Sequence, residues 1–206
     1  MLPEKNMILW NKLIPPLDID YGIYRPFIKN EWFRKHYMWF AYGLMAVLFV
    51  AAYLTGGFRA GNIFTKVGVY IVIYPVHELL HISTVFTKGD IYLSHSGLYF
   101  WLTPNAELKK GRYWLFMTLP LIVFTGLTGI AAVFTTGTLS EYLRYIAWIN
   151  AITAGSDIIN SFLILIKPAR SSFIRGFYGP DKKVVSQVVR LPYFSVDECR
   201  VFLFYR

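Results

Sequence analysis

The sequence predicts an all-α membrane protein, a bundle of four transmembrane helices with a small β-hairpin between the second and the third. Three observations carry this. Hydrophobic residues make up 55% of the 206 residues and charged residues only 16%, a balance foreign to ordinary soluble domains. The apolar residues come in long blocks. Four of those blocks reach the roughly 20 residues that a helix needs to cross a ~30 Å hydrocarbon core.

The chain is long enough for one compact domain, divided into an N-terminal arm over 1–36, a four-helix core over 37–166 and a tail over 167–206. The arm holds Pro3, Pro15, Pro16 and Pro26 among Trp10, Tyr21, Tyr24, Phe27 and Trp32, a composition suited to lying along lipid headgroups. No cleavable signal peptide is expected, since the first span is too long and starts too late, behind this basic segment. The first span, Tyr37 to Thr55, contains no formal charge. A short turn, "TGGFRAGN", leads to the second span, Val67 to Phe86. Between Lys88 and Arg112, Ile91, Leu93, Tyr99 and Trp101 flank "SHSG" as strands flank a hairpin turn. The third span, Tyr113 to Thr136, is apolar and rich in small residues. The fourth, Glu141 to Ile166, begins amphipathic and ends in "FLILI". A last strand-like stretch, "CRVFLFYR", closes the tail.

Lysines and arginines orient the bundle. Six precede the first span, four lie between the second and third, and eight follow Ile166, whereas Arg59 and Lys66 alone fall in the loop after the first span. Both termini and the middle loop are therefore expected in the cytoplasm. The net charge of +9 follows from this flanking pattern and from contact with anionic headgroups. No zinc-finger spacing or aromatic-basic patch points to nucleic acid. A single cysteine, Cys199, excludes an internal disulfide.

Against this apolar background, "IYPVHELLHIS" (73–83) is anomalous. Ionisable residues at the centre of a membrane helix are costly and usually face a functional cavity. Positions i and i+4 share one helix face, so His77 and His81 can turn two imidazole nitrogens toward one zinc ion. Glu78, about 100° round the helix, is suited instead to a water on that ion. This HExxH arrangement supplies two ligands and a general base. Zinc brings the pKa of a bound water to about 7, and the glutamate accepts its proton.

Catalytic zinc sites usually take three protein ligands. Asp157, in "NAITAGSDIIN", is the acidic residue within the core of the fourth span, Glu141 lying at its wrong end. Counting back from the expected ends at Phe86 and Ile166, His77 and Asp157 each lie nine residues, or ~14 Å, from the same side. Tyr70, Tyr74, His77, His81 and Thr84 form a polar stripe on the second span; Asn150, Thr153, Asp157, Asn160 and Ser161 form another on the fourth. Asn150 and Thr153 are also what plain interhelical hydrogen bonding would use. His95 and Asp90, in the middle loop, are rival third ligands. Asn160 is a candidate for orienting a ligand or binding substrate. Pro75 frees the carbonyl of Ile71 and favours a kink.

"HELLH" on one span, "LPLI" opening the next and "GSD" deep in a later one resemble a family of membrane zincin peptidases, itself similar to the site-2 proteases. That resemblance implies zinc held by His77, His81 and Asp157, with Glu78 catalytic, and cleavage of membrane-protein or peptide substrates within the bilayer. Ile158 stands after Asp157 where site-2 proteases carry glycine. The rival expectation is a non-catalytic metal-binding or metal-transport membrane protein, which would use the three ligands but has no need of Glu78. A haem subunit is disfavoured because both histidines share one face. A partner subunit remains compatible with the tail.

Overall fold

The computed structural model describes residues 8–10, 23–96 and 99–180. The chain is mostly helical, with α1 over Glu31–Leu54, α2 over Ile63–Val85, α3 over Lys110–Pro120, α4 over Thr128–Val133, α5 over Gly137–Thr153 and α6 over Gly155–Leu165. Asparagines start the first two helices. The Asn30 side chain accepts from the Phe33 amide at 2.8 Å, and that of Asn62 from the Thr65 amide at 3.0 Å, each satisfying a donor that the first turn leaves open. The Asn30 cap is why α1 begins at Glu31 and not at Tyr37.

Among the described residues, three helical stretches are long and apolar enough to cross a membrane: α1, α2 and the continuous run Lys110–Val133. In that run a wide π-helical segment, Leu121–Leu127, joins α3 to α4. Their outer faces leave Val47, Val50, Ile71, Val72 and Val133 exposed, an apolar girdle that lipid solvates and water would not. The chain is a multi-pass membrane protein.

The single straight helix expected over Glu141–Ile166 is not what forms. It is two helices, α5 and α6, bent by 66° and apolar enough to span only as a pair. Ala154 leaves helical geometry at φ −84° and ψ 20°. Gly155 then comes hard against α1: a Cβ there would lie 2.7 Å from Met45 Cγ and 3.3 Å from the Ala41 carbonyl. Any larger residue would have to push α1 away.

The chain forms two compact units. One is helical and comprises Trp39–Ser83 and Leu115–Phe162; the other carries the strands and draws on Met1–Met38, Thr84–Trp114 and Leu163–Arg206. In the strand-bearing unit β1 (Ile8–Trp10) runs parallel to β3 (Ile91–Ser96), which pairs antiparallel with β4 (Tyr99–Pro104). A second sheet has the order β2 (Arg25–Pro26), β7 (Phe177–Pro180), β6 (Ser171–Ile174), β5 (Leu108–Lys109), antiparallel throughout. Thus the described part of the N-terminal arm gives one strand to each of two sheets and, from Glu31, the start of α1. Arg175 and Gly176 turn β6 into β7 with φ of 41° and 80°, the two positive values that a tight hairpin turn requires. Phe173 anchors the second sheet, stacked on Tyr113 at 4.9 Å and edge-on to Phe27 at 5.9 Å. The strand-like stretch at the end of the tail and Cys199 lie outside the described residues.

Candidate metal centre

His77 and His81 sit one turn apart on α2, both buried, with ring centroids 4.8 Å apart. Asp157, in the first turn of α6, meets them. The Nε2 atoms of the two histidines are 3.1 Å apart. Asp157 Oδ2 lies 3.2 Å from His77 Nε2 and 3.4 Å from His81 Nε2.

Hydrogen bonds on the far side of each ring decide what those nitrogens carry. Asn150, on α5, donates its amide nitrogen to Thr125 Oγ1 at 3.0 Å and to the Pro120 carbonyl at 3.3 Å. Its Oδ1 is thereby turned to His77 Nδ1 at 2.7 Å. An amide oxygen accepts only, so Nδ1 of His77 carries a proton, and in the neutral ring Nε2 presents a lone pair. Thr125 completes the chain by donating to the Ala147 carbonyl at 3.2 Å.

His81 is fixed in the same sense by a missing donor. Within a helix the Phe116 carbonyl would accept from the amide four residues on, but that residue is Pro120, which has none. The Phe116 carbonyl accepts from His81 Nδ1, so in the neutral ring His81 Nε2 is a lone pair too. The π-helical segment begins directly after that proline, at a place where such segments often accompany function.

Two imidazole lone pairs and a carboxylate oxygen therefore converge, and a neutral pair of rings offers no proton among them. Such a cluster repels itself unless a cation fills it. The donors fit zinc. Ligands at ~2.0–2.1 Å in a tetrahedron stand ~3.3 Å from one another, and the three separations are 3.1, 3.2 and 3.4 Å. Among the described residues, His77, His81 and Asp157 are the one group of histidine, cysteine and carboxylate donors able to hold an ion.

Glu78 follows His77 on α2, is partly buried, and interacts electrostatically with both histidines and with Asp157. Tyr74, a turn earlier, lies within electrostatic range of Glu78 and Asp157. Asn160 stands one turn beyond Asp157 on α6, partly buried. The backbone of His95 pairs with Phe100 in the strand-bearing unit. Asp90 belongs to that unit as well, its carbonyl accepting from the Asn105 amide at 2.8 Å.

The residues missed from sequence are those behind the histidines. Asn150 was legible as polar but not as the partner of His77. The Phe116 carbonyl had a signal, a proline four residues on. Asn150→Leu is expected to weaken zinc affinity about 10–100-fold, the usual cost of losing a partner behind a metal-binding histidine. Asn150→Asp, which keeps an acceptor, should recover most of it. Competition with a chromophoric chelator measures both.

No curated protein and no solved structure matches this chain. Residues 70–172, half of its length, match the family model described as "Putative zincin peptidase". The match spans both histidines, Glu78, Pro120, Asn150 and Asp157. With a donor set that suits zinc and a family match across every residue that builds it, the chain belongs to this zincin peptidase family.

Proposed function

We propose that this protein is an intramembrane zinc metallopeptidase that hydrolyses peptide bonds of membrane-associated substrates near the cytoplasmic side. His77, His81 and Asp157 hold the ion and Glu78 is the general base. The observation that carries this reading is the convergence of two imidazole Nε2 atoms and a carboxylate oxygen, with a further carboxylate beside them that ion binding does not need. Zinc, when bound, supplies a Lewis acid that polarises the scissile carbonyl and makes water a better nucleophile at neutral pH. Glu78 takes a proton from the attacking water as its oxygen bonds to the carbonyl carbon. It then returns that proton to the amide nitrogen as the C–N bond breaks. Asn150 and the Phe116 carbonyl hold each imidazole in one tautomer, so the rings act as fixed ligands.

The depth supports a membrane-level reaction. His77 lies eight residues, or ~12 Å, from the Val85 end of α2, and the basic loop that follows supports a cytoplasmic side for that end. The likeness to site-2 proteases belongs to the same proposal. It rests on shared donor types on two helices, with Ile158 as the departure.

The second reading, a metal-binding or metal-transport protein, uses the same three donors and leaves Glu78 idle. One preparation separates them. Purified in neutral detergent, the chain should carry about one zinc by elemental analysis and cleave members of a transmembrane-peptide panel. Phenanthroline should abolish cleavage, and zinc should restore it. Retained zinc with no hydrolysis of any peptide, together with metal flux in reconstituted vesicles, would favour transport.

A further inference from the structure

The strand-bearing unit contains a groove of about 810 Å³ whose polar lining is dominated by Arg25, Lys29, Lys167 and Arg170. Among the described residues no carboxylate lines it. We propose that this groove binds the phosphate of an anionic phospholipid headgroup, with Tyr178 as its floor.

The cations are gathered, not scattered. Lys29 Nζ and Lys167 Nζ stand over the same Tyr178 ring, 5.8 Å and 4.5 Å from its centroid. Lys167 is further held by donation to the Phe27 carbonyl at 2.6 Å. Charges that merely orient a membrane protein gain nothing by crowding, since like charges repel and exposed side chains can move apart. Here burial, and after it Lys29, holds the Lys167 ammonium below the ordinary lysine range. An anion would relieve that cost. Glu107, beside β5, does not serve, because it already accepts from the hydroxyls of Tyr24 (2.8 Å) and Ser172.

The position of the groove selects a lipid over free phosphate. Ile166 and Lys167 follow directly on α6, where the bent span ends, and Ile166 is exposed. Chain leaving the apolar phase at this point sits at headgroup level, where basic pockets meet anionic lipid. Ile23, Ile166 and Pro168 add apolar lining that a glycerol backbone can cover and an inorganic ion cannot.

The full chain in neutral maltoside micelles tests this by calorimetric titration with short-chain phosphatidic acid, short-chain phosphatidylcholine or inorganic phosphate. Saturable one-to-one binding of phosphatidic acid is expected, with phosphatidylcholine and phosphate at least tenfold weaker. Lys29→Gln with Arg170→Gln should weaken phosphatidic acid about tenfold or more through loss of charge-assisted contacts. Lys35→Gln with Lys88→Gln removes the same charge outside the groove and should change affinity less than twofold. Thermal melts of both double variants check folding, and Lys29→Arg should rescue the first. Equal weakening by the two pairs, unsaturable binding, or phosphatidylcholine binding as tightly would overturn the proposal. Inorganic phosphate matching the lipid would overturn its headgroup source.

Discussion

Glu78→Gln is expected to lower peptide hydrolysis roughly 10²–10⁴-fold, the range that a positioned general base contributes, while zinc content stays at about one per chain. Glutamine keeps the size and hydrogen-bonding reach of glutamate but cannot accept the proton of the attacking water. His77 and His81 keep their nitrogens aimed, because Asn150 and the Phe116 carbonyl, not Glu78, hold the rings. The loss should fall on the chemical step, so single-turnover cleavage at saturating peptide should drop as far as kcat/KM does. Wild-type rates in the variant would remove Glu78 from the reaction. Loss of zinc along with activity would recast it as a ligand.

Asp157→Ala should strip the metal outright. It removes the one anionic donor, leaving two neutral nitrogens 3.1 Å apart, and after dialysis against a weak chelator zinc should fall from about one to below about 0.1 per chain. Asp157→Asn separates charge from shape, since its amide oxygen occupies the same place without the negative charge. Intermediate zinc retention is expected for it, with hydrolysis lost in both variants. Full zinc in Asp157→Ala would mean that another residue completes the site, and His95 and Asp90 would then be the next to exchange. A circular dichroism melt guards against simple unfolding, because Asp157 also sits beside the bend on which α6 depends.

Much of the centre was readable in the linear chain because helices have fixed arithmetic. His77, Glu78 and His81 stand out as ionisable residues in an apolar run, and a spacing of four sets the two histidines on one face in any helix. Asp157 lies on the C-terminal side of a break at Ala154. The break itself was obscure because "NAITAGSD" contains no proline. At the break Gly155 comes close to Met45 and Ala41, residues more than a hundred positions earlier. The β6–β7 hairpin was equally hidden, as Arg175 is an unusual residue at positive φ and is held there by strand pairing on both sides.

By itself the sequence determined an apolar chain of membrane-spanning helices and a histidine pair with an adjacent glutamate, since both follow from composition and helical period. Tertiary structure alone decided which nitrogen of each histidine is bare. That choice depends on the Asn150 amide and the Phe116 carbonyl, whose hydrogen-bonding partners come from helices distant in the chain. A proton's position on an imidazole is set by its neighbours in space, and local sequence does not specify them.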